Sequence, residues 1–515
     1  MSDADAHANN KLRISWYSFT IFLSSAILLV LEITAGRLIA PYVGVSIYSW
    51  TSIIGVILAG LSLGNWLGGR WADRGGNERS SGIALALAGV FSLFSLMALT
   101  IVAPVLQNSQ LDLVSSSFLY VLSMFFIPSV LLGIPTPLLT TLALGMDSRA
   151  GHIVGRMHAL AALGSIIGTF LTGYVLIQYF GSRNVIIVSA LLLFLLAAPF
   201  FRRTPKTVPL TIVAITIGLS SVIMARSGFS TPCDQESNYY CLRVVDRSDD
   251  APFGTAKALI VDHLMHGINH ASEPGMMISP YVHLMDELVL NHFGDQQDVP
   301  LNYFFAGGGA YTQPRAVKAL YPGAGITVAE LDSAVTDIVQ KELYLSTDGM
   351  RIFHRDARTV LYRLKDEKFD VIVTDAFHDI AIPYHLVTRE FVQLVKSRLK
   401  ADGLFTANVL DAFPDPKVVK SLMKTLQQEF KYVDIWLDEL PQRQQRMTFV
   451  ISASNNNIIQ DDVVHARRGF ERSWYRINEP LQSTGTPMAE LPIFTDDYVP
   501  VERLISNLLL TAEGR

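Results

Sequence analysis

The sequence predicts two architectures in one chain: an N-terminal multi-span α-helical membrane domain, and a C-terminal α/β Rossmann-like domain introduced by a small β-hairpin subdomain. Two observations predict them. Residues 15–225 are almost continuously apolar, whereas 226–515 read as ordinary globular sequence. In the second part, 301–332 (LNYFFAGGGAYTQPRAVKALYPGAGITVAELD) passes from an apolar strand through three glycines and a helix-like segment to a second strand ending at Glu330. This is the nucleotide-binding half of a doubly wound fold: the glycines admit a ligand close to the backbone, and the acid suits ribose hydroxyls. The expected organisation is a cytoplasmic tail at 1–14, a membrane domain at 15–225, a linker and hairpin subdomain at 226–300, and the Rossmann-like domain at 301–515.

Apolar segments near 15–36, 48–68, 82–104, 114–142, 154–180, 184–200 and 208–225 each approach the roughly 20 residues that cross a bilayer core as helix. Seven spans are expected. Pro128, Pro135 and Pro137 interrupt the fourth, which is therefore one kinked helix or a helix with a re-entrant piece. Lys11, Arg13, Arg70, Arg74, Arg79, Arg149, Arg156, Arg202, Arg203 and Lys206 fall in the alternate loops that share a side with the N-terminus. The opposite loops carry little beyond Arg37 and Arg183. The positive-inside rule places the first side in the cytoplasm, and seven crossings place the C-terminal domain outside.

Two membrane features invite function. Glu32 is a carboxylate at membrane depth, or half of an interfacial pair with Arg37 near the helix end. The stretch 60–76, GLSLGNWLGGRWADRGG, resembles a loop of major-facilitator transporters, although small residues at helix contacts account for its glycines. A net charge of -5 with no basic block excludes a nucleic-acid partner. The lipid bilayer is the expected partner of the first half. Cys233 and Cys241 are the only cysteines, and they suit a small disulfide loop in an oxidising space.

After the membrane half, 239–270 alternates as β-hairpin strands do. Strands are then predicted at LNYFFAG, GITVAELD, MRIFHRD, FDVIVTDA and GLFTANVLD, with an outer pair YVDIWLDE and RMTFVISAS; helices lie between them, notably at 332–343 and 387–400.

A hairpin domain followed by GGG, ELD, RDA and DVIVTDA at these spacings resembles the spermidine synthase (polyamine aminopropyltransferase) family. EITAGRLIAPYVG, DAFHDIAIPYHLVTREF and TDDYVPVERL resemble its membrane-fused bacterial branch in particular. The resemblance implies a methyltransferase-type Rossmann fold in a multi-pass bacterial inner-membrane protein; the loop charges put its soluble domain on the periplasmic side. It implies aminopropyl transfer from decarboxylated S-adenosylmethionine to an amine such as putrescine, in polyamine biosynthesis, with no metal and with a homodimer left open. By that match Gly307, Gly308 and Gly309 line the nucleoside, Glu330 holds the ribose, and Asp356 and Ala357 face the adenine. His266 lies near the cofactor tail, Asp375 is the catalytic acid, and Tyr281 and Asp379 meet the amine. Asp375 would hold the amine nucleophile and take its proton.

Two departures and several alternatives qualify the match. Family members read GGGDGG where this chain has GGGAYTQPR, so Ala310 replaces the Asp that holds the aminopropyl amine; His378 stands where a second core Asp is usual, with Asp379 one residue later. Methyl transfer from S-adenosylmethionine is therefore a rival reading, and a transporter or sensor that binds nucleoside or polyamine without turnover is another. Asp356 could simply cap DARTVLYRL, Asp375 could be a turn residue, His266 could be structural, and Asp496 and Asp497 read as an Asx-type turn before Pro500.

Overall fold

A computed structural model describes residues 3–109, 111–202, 205, 207–294, 299–376, 382–441, 443–456 and 459–506. Arg203, Lys206, His378 and Asp379 lie outside the described residues. The chain divides into two units, Met1–Pro232 and Cys233–Arg515, each described here by itself.

The first unit is helical: α1 (Asp3–Val43), α2 (Ile47–Asp73), α3 (Glu78–Gln107), α4 (Leu113–Gly133), α5 (Pro135–Leu144), α6 (Ala150–Leu171), α7 (Ile177–Ala197) and α8 (Thr207–Ala225). Among the described residues, six continuous helical runs are long and apolar enough to cross a membrane. One of them, Ala150–Phe201, covers both segments expected at 154–180 and 184–200. Its 52 residues would extend about 78 Å as one helix, more than twice a hydrocarbon core. The run breaks at Gly181, whose φ of 72° and ψ of 158° are not helical. The prolines of the fourth segment end α4 at Gly133 and restart the helix as α5. Helix α1 continues to Val43, so Glu32 and Arg37 lie within it rather than at its end.

Small residues set the helix contacts, as expected where apolar surroundings give no hydrophobic drive for helices to associate. A side chain at Gly164 or Gly168 of α6 would strike the main chain of Phe22 and Ala26 in α1; Gly60, Gly64 and Gly68 of α2 meet Phe126, Val130 and Ile134 in the same way. In both pairs residue numbers rise together, so α1 is parallel to α6 and α2 to α4–α5. Arg13 and Tyr17 both bond Glu78, joining the starts of α1 and α3. Gly82 and Gly89 of α3 meet Phe200 and Ala190, so α7 runs antiparallel to α3. Arg183, just after the break, bonds the Gly228 carbonyl, and Gly228 lies against Thr100 near the end of α3. The legs therefore alternate in direction through α8, and residue 228 leaves this unit at the end opposite Arg13.

The second unit starts with a disulfide between Cys233 and Cys241, Cα atoms 5.3 Å apart. A four-stranded antiparallel sheet follows: β1 (Gln235–Glu236), β2 (Cys241–Asp246), β3 (Ala256–Val261) and β4 (Leu264–His270). After α9 (Pro280–Phe293) come β5 (Asn302–Ala306), α10 (Thr312–Leu320), β6 (Gly325–Ala329), α11 (Ser333–Glu342), β7 (Met350–Phe353), α12 (Ala357–Arg363), β8 (Phe369–Thr374), α13 (Arg389–Arg398), β9 (Leu399–Phe413) and α14 (Lys417–Leu426). The chain then adds β10 (Tyr432–Leu437), β11 (Gln445–Ser454), β12 (Val463–His465) and β13 (Ser473–Arg476). These form one sheet in the order β12-β13-β10-β11-β9-β8-β5-β6-β7. Strands β5 to β9 are parallel, and β11 enters antiparallel beside β9. The methyltransferase-type Rossmann fold is this arrangement. Strand β8 is buried along its whole length and β5 at every residue but Asn302, which is why their centres, VIV and YFFA, read as apolar runs.

Candidate active site

The sheet register lines up one residue from each strand. Ala306 pairs with Thr374 on one side and Ala329 on the other, Ala329 with Phe353, and Thr374 with Ala407. The next residue of each strand therefore falls in one row along the C-terminal edge: Asn408, Asp375, Gly307 and Glu330, with Asp356 just past β7. The chain passes from β5 outward through β6 and β7, then returns to the other side of β5 as β8. Gly307 and Asp375 stand at that reversal, where doubly wound sheets open a crevice for ligand.

The glycines are required by this geometry. Gly307 has φ of 100°, and a Cβ there would enter the Asp375 carbonyl; at Gly309, φ is 50° and a Cβ would lie 3.3 Å from the His266 carbonyl. Behind the loop, the buried Tyr311 ring occupies the space next to Gly308 and its hydroxyl meets Thr336 at 2.7 Å. Glu330 is buried and accepts from the Gly308 and Asp332 amides at 2.8 and 2.9 Å, one oxygen each. Burial raises its pKa against those two bonds and a third from the Gly309 backbone. A carboxylate has about four lone-pair positions, so Glu330 is not saturated and can still accept from a ligand hydroxyl.

Asp356 caps α12 through the Thr359 amide at 2.8 Å, and its second oxygen meets His385 Nε2 at 2.6 Å. Burial would raise its pKa, but the His385 and Thr359 bonds prevail and lower it to about 2. The helix cap and the carboxylate expected to face the adenine are thus one residue, with Ala357 buried as the first residue of α12. Asp496 does not form a simple Asx turn. Its carboxylate takes Arg358 of α12 at 2.6 and 2.7 Å, which ties the TDDYVPVERL segment to the strand-end row.

At the centre, Asp375 accepts from Asn408 Nδ2 at 3.0 Å and from the Tyr281 hydroxyl. Burial raises its pKa to about 6 against those two bonds. The same burial, with the Asp375 charge, holds the Tyr281 phenol well above its ordinary value. His266 is pushed down to about 4 by burial, so its imidazole is neutral near pH 7. A cavity of about 570 Å³ opens beside these groups, with His266, Tyr281, Asp375 and Asn408 on its wall.

The structure thus brings Gly307, Gly308, Gly309, Glu330, His266, Tyr281 and Asp375 to one edge, with Asp356 and Ala357 beyond β7. Asp379 lies outside the described residues. Ala310 is buried, its methyl against Gly267 and its carbonyl accepting from Asn269 at 2.7 Å. The departure from GGGDGG is therefore built into the packing of β4 against the loop. Sequence reasoning missed Asn408, Arg446, Arg472 and His385. Only Asn408 left a signal, as the one amide within the apolar run LFTANVL.

Residues 289–462 match the Spermine/spermidine synthase domain family. A polyamine aminopropyltransferase of Vibrio vulnificus is 35% identical over 112 residues, 21% of this chain and 38% of that one. A probable polyamine aminopropyl transferase of Bifidobacterium longum is 27% identical over 213 residues, 38% of this chain and 47% of that one. The chain spans less than half the length of either relative. A probable spermidine synthase from Corynebacterium glutamicum superposes with a TM-score of 0.43 at 17% identity, covering 52% of this chain and 97% of that one. The fold is a Rossmann domain of the methyltransferase type, and its strand-end edge carries groups of the kind that suit a nucleoside. Within that class, residues 289–462 resemble the spermidine synthase-like family.

Proposed function

We propose that this protein is a membrane-embedded transferase that moves an aminopropyl group from decarboxylated S-adenosylmethionine to a primary amine. The observation that carries the reading is Asp375: a carboxylate at the switch point, its pKa raised to about 6, facing both the glycine loop and an open cavity. The residues fit an adenosyl nucleoside. Gly307 and Gly309 leave room that a Cβ would fill, and Glu330 keeps acceptor positions for the ribose. Asp356 and Ala357 would bound the adenine. A bound sulfonium supplies a carbon already attached to a neutral thioether leaving group.

The chain's own work is positioning and proton transfer. Asp375, held by Asn408 and Tyr281, accepts a hydrogen bond from the incoming amine, aims its lone pair, and takes its proton as the nitrogen becomes bonded. Neutral His266 adds no positive charge near the ammonium group of the donor. Methyl transfer is the second reading, favoured by Ala310, which leaves no carboxylate at that position for the aminopropyl amine.

The alternating helices and the one-sided loop charges support a multi-pass inner-membrane protein whose C-terminal unit lies in the periplasm. The Cys233–Cys241 pair suits that oxidising space. Calorimetric titration of the full chain in detergent with both sulfonium nucleosides tests the assignment. Tighter binding of the decarboxylated form is expected, whereas a preference for S-adenosylmethionine would favour methyl transfer.

A further inference from the structure

The cavity beside Asp375 narrows the class of acceptor, an inference that rests on the proposed transfer. Among the described residues, the charged side chains on its wall are Arg247, Arg446, Arg472, Asp250 and Asp375. Asp250 is occupied by Arg247 at 2.6 Å, and Asp375 stands at the reacting end. No other described wall residue offers a carboxylate to the far ammonium of a diamine, which would instead meet the guanidinium groups of Arg446 and Arg472. Arg472 donates to the carbonyls of Ile278 at 2.7 Å and Met277 at 3.2 Å and lies over the Phe470 ring. These neutral contacts orient the cation, and the nearby Asp438 charge offsets only part of its burial. Burial lowers the Arg472 pKa, a penalty that an anion in the cavity would relieve.

Arg446 lies beyond the reach of the donor. Thr374 at the end of β8 pairs with Ala407, while Arg446 pairs with Ala412, further out on β9. At about 3.3 Å per residue, its backbone stands roughly 13 Å past the row that holds Asp375. A short aminopropyl tail cannot span that gap. An acceptor lying along the cavity, met by the arginine's own long side chain, can.

We propose that the acceptor is a primary amine whose far end is an anion, a carboxylate or a phosphate, held by Arg446 and Arg472. Its nitrogen forms the new C–N bond as the C–S bond breaks with its electron pair passing to sulfur, and the proton lost by nitrogen goes to Asp375. The products are a secondary amine that keeps its anionic end and the neutral thioether nucleoside.

The test titrates the full chain in detergent, saturated with 5′-methylthioadenosine, against two amines matched in chain length: putrescine and 4-aminobutyrate. Phosphoethanolamine and phosphatidylethanolamine vesicles distinguish a soluble phosphate from a lipid headgroup. An anionic amine is expected to bind about tenfold or more tightly than putrescine. Arg446→Gln and Arg472→Gln should each weaken it roughly 10- to 100-fold, the scale of a charged hydrogen bond, and leave putrescine unweakened. Arg446→Lys, which keeps the charge, should retain much of the preference. Tighter binding of putrescine, or equal binding of all the amines, overturns the acceptor assignment and leaves the proposed transfer standing. Arginine variants that change only the choice between the two sulfonium donors overturn it as well. Failure to bind any adenosyl nucleoside removes the proposed function and the acceptor assignment with it.

Discussion

In the proposed transfer, Asp375 must be both buried enough to hold an amine and ionised enough to take its proton. Its pKa of about 6, set by burial against the bonds from Asn408 and Tyr281, meets both needs near neutrality. The sign follows directly: below about 6 the carboxyl carries its own proton and cannot accept another, so kcat/KM should rise with pH through that value. Asp375→Asn should keep nucleoside affinity, lose roughly 10²–10⁴ in turnover and abolish that acid limb; a pH profile of wild type and variant that superposed would exclude the role. For Glu330, which both braces the loop and keeps free lone pairs, Glu330→Gln should weaken nucleoside binding by about 1–3 kcal/mol in calorimetry. Both acids were legible from sequence, because in a parallel α/β sheet a polar residue ending an apolar strand falls at the ligand edge. Arg446 and Arg472 were not. They reach the cavity through the antiparallel β9–β11 pairing and a distant loop, contacts that no local pattern records. The second partner of Asp356 was hidden for the same reason, since His385 lies 29 residues away.

Among the elements, the strands were the plainest to read and their ends the least. Core strands β5, β6 and β8 fall within their predicted segments because burial on both faces leaves an apolar run bounded by polar residues. Strand β9 extends from Leu399 to Phe413, past both ends of GLFTANVLD, because Leu399 pairs with Phe369 of β8 at one end and Ala412 and Phe413 are held by β11 at the other. In the helical unit, the break at Gly181 falls between the apolar segments expected at 154–180 and 184–200. The loop after β5 offers the sharpest test at this scale. Gly307→Ala would place a methyl in the Asp375 carbonyl at a φ of 100°, so a loss of roughly 1–3 kcal/mol is expected, together with weakened nucleoside binding. Thermal unfolding measures the first and calorimetry the second; a variant unchanged in both would show that the loop does not need its close approach to β8.

At the scale of the whole chain, loop charges and helix packing are independent and point the same way. Arg13 and Arg79 flank the joined starts of α1 and α3, Arg156 lies beside Met157, which meets Ser18 of α1, and Phe200, just before Arg202, packs against Trp16. Residue 228 leaves at the opposite end, beside Arg183 and Thr100. A phosphatase fused to the C-terminus and active only in the periplasm should therefore be active, with a cytoplasmic fluorophore dark. The reverse pattern would require an even number of crossings and an active site in the cytoplasm. Charge is the sequence signal on which the proposed topology rests, whereas the cavity beside Asp375 became visible only once β9, β11 and the Arg472 loop were assembled. The most direct test of the proposed chemistry is mass analysis of the products formed by the full chain from decarboxylated S-adenosylmethionine and S-adenosylmethionine, each with an amine acceptor. The expected result is 5′-methylthioadenosine in equal amount to an amine enlarged by one aminopropyl group, both lost in Asp375→Asn. An amine enlarged by a methyl group with S-adenosylhomocysteine, or bound nucleoside returned unchanged with every amine, would contradict it.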